Sequence, residues 1–139
     1  MTKNLWINLP VKDLARSKAF FNEIGFNFNE KFGGNSRESA CLEVGDKPEV
    51  VMLFVDSTFK NFTRNEISDT NNGTEVLLSI DASSRQEVDE MADKVKVAGG
   101  MVFAQPEEID GWMYGCGFKD PDGHRWNVLY MDTGKMPRN

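Results

Sequence analysis

Glu75 and Asn127 are the residues of this chain whose types and surroundings are best suited to chemistry. Glu75 follows Asn72-Gly73-Thr74 and opens the otherwise apolar run Val76 to Ile80. A carboxylate turned to the inner face of such a strand can act as a proton-transfer base; at an exposed strand end it does nothing. Asn127 lies between Trp126 and Val128. An amide in an apolar strand must be hydrogen-bonded, either to the protein or to a ligand. Asn8 stands two residues from Trp6 and shares its face in a strand, with a cross-strand hydrogen bond as its structural role. Trp6, Phe54, Trp112, Tyr114 and Phe118 offer aromatic surface of the kind that receives planar or extended organic ligands, or that packs a core.

Other chemistries lack their residues. His124 is the single histidine, so one chain cannot assemble a 2-His-1-carboxylate iron centre. His124 also follows the glycine of a turn, where it packs at a strand start or bonds the turn backbone. Cys41 and Cys116 form no CxxC pair and have no base beside them in sequence, so they read as unactivated thiols. No Ser/His/Asp set, glycine-rich phosphate loop or Walker-type lysine is present.

The 139 residues carry 40% hydrophobic and 27% charged side chains, ordinary values for one globular domain. A formal net charge of −6 without a basic stripe argues against nucleic acid as a partner. No run of 18 apolar residues is present, so no membrane partner is expected. Met1-Thr2-Lys3-Asn4 leads directly into a strand-like segment, without the apolar core of a signal peptide, and a cytoplasmic location is the expectation.

The elements that must position these residues come in two similar sets. Leu5 to Val11 reads as a strand, followed by Asp13 as N-cap, a helix to Ile24, and Gly25. Strand-like runs at Gly25 to Phe32, Glu38 to Val44 and Glu49 to Val55 follow, punctuated by Gly33-Gly34-Asn35 and Gly45-Asp46-Lys47-Pro48. The order then restarts with a strand at Glu75 to Ile80. A helix capped by Ser83 or Ser84 runs to Ala98, with Val88, Met91, Ala92 and Val95 at amphipathic spacing. Gly99-Gly100 ends it, and strands follow at Met101 to Gln105, Met113 to Phe118 and Arg125 to Met131. Asp120-Pro121-Asp122-Gly123 reads as the tight turn of the last hairpin.

Leu9 aligns with Leu78, Gly25 with Gly99 or Gly100, and Val50 to Phe54 with Arg125 to Leu129. The reading is therefore α+β: one domain over 1–139 made of two βαβββ modules, 4–55 and 75–132. The connector 56–74 serves as the crossover between them or as a lid. Each sheet has one helix to cover it, so the uncovered faces must meet or line a cavity. The expected result is a curved mixed sheet around a cleft.

Two motifs give this pattern a resemblance. Leu9-Pro10-Val11-Lys12-Asp13-Leu14-Ala15-Arg16-Ser17-Lys18-Ala19-Phe20-Phe21 with Gly25-Phe26, and the closing turn Asp120 to His124, resemble the glyoxalase/bleomycin-resistance/extradiol-dioxygenase superfamily, the vicinal oxygen chelate fold. The resemblance implies paired modules around a site, a homodimer, and in metal-using members four ligand positions on the first and last strands of each module. Those positions match Trp6, Met52, Glu75 and Asn127 here. Trp has no lone pair to offer and Met is a soft donor, which leaves Glu75 and Asn127 as the metal ligands this chain could supply.

The resemblance therefore implies a degenerate metal site, with no cofactor required and a divalent metal left open. The function it implies is binding of a small organic ligand in an aromatic cleft, as in bleomycin-resistance proteins. The ligand contacts would come from Trp6, Asn8, Met52, Phe54, Trp112, Tyr114 and Asn127. The alternative is a metal-dependent isomerase or lyase of glyoxalase type, or a thiol transferase, with Glu75 as the catalytic residue.

Overall fold

A computed structural model describes residues 1–31, 36–47 and 49–138. The predicted breaks at Gly33-Gly34-Asn35 and Pro48, and the strand end at Phe32, lie outside the described residues. The chain divides into two compact units, Met1–Asp69 and Thr70–Asn139.

The first unit contains β1 (Ile7–Val11), α1 (Leu14–Glu23), β2 (Asn27–Phe28), β3 (Ser39–Val44), β4 (Glu49–Val55) and α2 (Asp56–Thr63). Its sheet has the order β1-β4-β3-β2, with β1 parallel to β4 and the other pairs antiparallel. Asp13 caps α1 by accepting the Arg16 amide N–H at 3.1 Å. At the other end the Phe26 N–H donates to Phe21 O and the Gly25 N–H to Asn22 O. The Phe21 and Phe26 rings stack at 5.8 Å, which completes a Schellman stop with its apolar contact. Leu14, Phe20, Phe21 and Ile24 are buried, as are Leu9, Val11, Val51, Leu53, Ala40 and Leu42 on one face of the sheet.

The second unit contains β5 (Leu77–Asp81), α3 (Arg85–Val97), β6 (Met101–Ile109), β7 (Met113–Lys119) and β8 (Arg125–Met131). Its sheet runs β5-β8-β7-β6, again with one parallel pair, β5 with β8. Ser84 caps α3, and α3 stops like α1: the Gly100 N–H donates to Val95 O and the Gly99 N–H to Lys96 O. This shared stop aligns Gly25 with Gly99. Val88, Ala92 and Val95 are buried, as are Leu78, Trp126, Val128, Phe118 and Cys116 on the facing side of the sheet.

The two units thus repeat a βαβββ order, and the fold is α+β with two four-stranded mixed sheets. Pairing register separates two alignments that the sequence suggests together. Leu9 pairs with Leu53, while Leu78 pairs with Trp126. Aligning Val50–Phe54 with Arg125–Leu129 makes Leu53 the counterpart of Val128, whose partner is Ile80. The Leu9–Leu78 match is therefore two residues out of step with the strand match.

Several element bounds move. The connector opens with α2, a helix where the sequence suggests only a crossover or lid, and α2 belongs with the first unit. The run Gly25 to Phe32 yields only the two-residue strand β2. β6 continues to Ile109, because Asp110 (φ 54°) and Gly111 (φ 77°) form a two-residue turn into β7. Two successive positive φ values are those of a type I′ hairpin, whose twist suits antiparallel strands.

The predicted closing turn is present. The Gly123 N–H donates to Asp120 O at 2.9 Å, with Pro121 second in the turn and Gly123 at φ +84°. A Cβ on Gly123 would also run into the Thr70 hydroxyl, which donates to Asp122 O at 2.7 Å. Asp120, only 5% exposed, holds this corner together. One carboxylate oxygen accepts the Asp122 and His124 amides at 3.0 and 3.1 Å, and the other accepts Trp126 Nε1–H at 3.1 Å. Burial pushes the Asp120 carboxyl above its ordinary range, against the pull of the His124 charge and the Trp126 N–H.

Candidate functional site: the open sheet faces

Strand alternation gives each sheet a face turned away from its buried core. On the first sheet, Leu9 and Val11 are buried, so Asn8 and Pro10 lie on the opposite side. Asn8 pairs with Met52, and Met52 with Cys41, so the three form one cross-strand row. Phe54 is next, opposite Pro10 and Ser39. Its ring meets that of Phe62 from α2 edge-to-face at 5.1 Å, so α2 covers this end of the face. Three predicted contacts, Asn8, Met52 and Phe54, are therefore brought together. Cys41 was not anticipated in this row; burial pushes its thiol up, with Glu43 adding to the shift.

Trp6 stands one residue outside β1, because pairing begins with Ile7 opposite Val51, and it is 57% exposed. Glu75 is likewise not in a strand. β5 begins at Leu77, where its partner β8 begins with Arg125, so the chain before Leu77 has nothing to pair with. Glu75 occupies an exposed bend two residues upstream. The expected inner strand position for this carboxylate is not observed.

On the second sheet, Asn127 pairs with Ser79 and Gly117, Arg125 with Leu77 and Lys119, and Leu129 with Asp81 and Gly115. Gly117 leaves room for Phe103: its ring occupies the place where a Cβ on residue 117 would stand. The Arg125 guanidinium lies over that ring, 4.3 Å from its centroid. Arg125, Lys119 and Phe103 thus share the open face with Asn127. The signal for Arg125 was its parity with Asn127, two residues on.

Tyr114 is a correction. It belongs to the opposite parity with Cys116 and Phe118, and its hydroxyl donates to Asp89 Oδ1 of α3 at 2.7 Å. That bond raises the Tyr114 pKa, and Arg85 of α3 lies 5.8 Å from the Tyr114 ring centroid. Phe118 stacks on Trp126 inside the core at 6.1 Å and is fully buried. Cys116 lies against Val88 O of α3, and burial pushes its thiol up to about 11. Trp112 follows the type I′ turn, its N–H donating to Ile109 O and its carbonyl accepting the Asp132 N–H.

Residues 3–45 match the family model of the bleomycin resistance protein-like N-terminal region. A hypothetical protein from S. aureus shares 32% identity, with 94% of this chain and 95% of that one covered and a TM-score of 0.83. A glyoxalase/bleomycin resistance protein/dioxygenase family enzyme from Burkholderia phytofirmans PsJN superposes with a TM-score of 0.77 at 19% identity, covering 91% of this chain and 96% of that one. The chain has the fold of the glyoxalase/bleomycin resistance protein/dioxygenase structures, and its N-terminal region is similar to that of bleomycin resistance proteins. A glyoxalase-related enzyme from Fulvimarina pelagi shares the same fold, with a TM-score of 0.78 at 17% identity over 94% of this chain and 88% of that one. No protein of curated function matches the sequence.

On this fold the donor set is sparse. Among the described residues, no three His, Cys, Asp or Glu side chains come together as a metal site requires. No helix among them is long and apolar enough to cross a membrane.

Proposed function

We propose that this protein is a member of the glyoxalase/bleomycin resistance/dioxygenase superfamily that binds a small organic ligand on its open sheet faces, without the metal centre of metal-using relatives. The observation that carries this reading is the state of the four family ligand positions. Trp6 offers an indole without a free lone pair. Met52 offers a soft thioether, and Asn127 an amide. The one carboxylate, Glu75, stands exposed ahead of β5. A divalent ion needs several imidazole or carboxylate donors converging at about 2.0–2.2 Å, and this set does not fit it. What these faces do offer is polar and apolar groups in alternation: Asn8 beside Met52 and Phe54, and Asn127 beside Ser79 and Phe103. That composition suits an organic ligand oriented by a few amides.

Amide chemical shifts during a screen of small aromatic compounds test this reading. The expected outcome is shifts at Asn8, Met52 and Asn127, with Tyr114 and α3 unchanged. Shifts confined to Tyr114 and α3 would overturn it. We further propose that the protein is a homodimer, as its resemblance to dimeric family members suggests. Light scattering should then give twice the mass of one chain.

A further inference from the structure

We propose that the open face of the second sheet carries an anion site, built on Arg125 and Lys119, that takes the carboxylate of a planar organic ligand. The inference rests on the ligand-binding reading above and narrows it to a charge class.

Three observations converge on these residues. A guanidinium has five N–H donors. Arg125 Nε is buried, and no acceptor among the described residues meets it. Among the described residues no carboxylate pairs with Arg125 or Lys119 either, although the chain has 22 acidic residues and 16 basic ones. Two exposed cations elsewhere do reach a carboxylate: Arg85 meets Glu108 at 2.7 Å and Lys60 meets Glu66 at 2.8 Å.

Lys119 and Arg125 are also direct cross-strand partners, the last and first residues of β7 and β8. Like charges placed opposite each other on one face repel, so the pair weakens its own hairpin unless an anion lies between them.

The third observation is Phe103. The guanidinium carbon lies over its ring, and Gly117 makes that possible by leaving the ring its space. A guanidinium presents its donors as a planar fork, which matches the two oxygens of a carboxylate. Phe103 is still 37% exposed, so an apolar body attached to the carboxylate has surface to rest on. Ser79 and Asn127 follow along the same face with a hydroxyl and an amide for further hydrogen bonds.

The test uses the full chain and three probes: benzoate, benzamide and inorganic phosphate, titrated against amide signals of β7 and β8. Benzoate should bind at least about tenfold more tightly than benzamide, the scale of one charge-assisted hydrogen bond. Its affinity should fall with salt and weaken about tenfold or more in Lys119→Gln and Arg125→Gln. Arg125→Gln loses packing as well as charge, so Lys119→Gln, at a strand end, carries the comparison if the other variant unfolds. Equal binding of benzoate and benzamide would overturn the anion site while leaving the ligand-binding reading intact. Phosphate binding as tightly as benzoate would replace the organic carboxylate with a free oxyanion and overturn the assignment. Benzoate binding unchanged in Lys119→Gln would place the anion elsewhere and overturn it too. If neither aromatic probe shifted any amide on either open face, both readings would fall.

Discussion

Asp120 shows how one side chain can hold a whole corner. Its carboxylate accepts two turn amides and the indole N–H of Trp126, and Trp126 is itself buried against Phe118. Asp120→Ala should remove these acceptors, including the one that meets the buried Trp126 N–H. A loss of about 2–4 kcal/mol in unfolding free energy is expected, measured by urea titration. Cys116 gives a second residue-scale prediction, this one in pH. Burial raises its thiol from 9.0 to about 11 in the folded chain. The folded state therefore holds the proton more tightly than the unfolded state does. Its contribution to stability is fully present below pH 9.0 and is lost as pH rises toward about 11. Thermal melts across that range should fall less steeply in Cys116→Ala than in the parent, after allowing for its constant cavity cost.

At the scale of elements, β7 joins core and open face through strict alternation. Tyr114, Cys116 and Phe118 point to the α3 side, while Gly115 and Gly117 face the other way. Gly117→Ala should force the Phe103 ring out of its seat, at a cost of about 1–3 kcal/mol. The double variant Gly117→Ala/Phe103→Ala should be no less stable than Phe103→Ala alone, which a pair of denaturation curves checks.

The same strand shows what could and could not be read from the sequence. The helix caps, the glycine stops and the Asp-Pro-Asp-Gly turn were legible, because each rests on local backbone chemistry. The side on which Tyr114 lies was also legible in principle: large apolar residues alternate with glycines from 114 to 118, and the large set belongs in the core. The Asp110-Gly111 hairpin signal was likewise present in the sequence and unread. α2 was harder to anticipate. Phe59 and Phe62 give it an apolar side, but it is short, none of its residues is buried, and it is held by its place against β1 and β4 and by the Phe54 contact. Glu75 could not be placed from sequence, because the start of β5 depends on where β8 begins to pair.

The whole molecule repeats one βαβββ plan twice, down to matching Schellman stops at Gly25 and Gly99. Repetition of the backbone has not repeated the chemistry. The first open face carries Asn8, Met52, Cys41 and Phe54, while the second carries Asn127, Ser79 and a cation pair stacked on Phe103. Such divergence gives no set of equivalent donors for one ion.

The most direct test of this account is calorimetric titration of the purified protein with Ni²⁺, Zn²⁺, Mn²⁺ and Fe²⁺, beside Glu75→Gln. The account predicts no binding tighter than about millimolar for any of the four ions, with parent and variant indistinguishable. Tight binding near one ion per chain, abolished in Glu75→Gln, would contradict it and point instead to a metal-dependent lyase or isomerase of glyoxalase type.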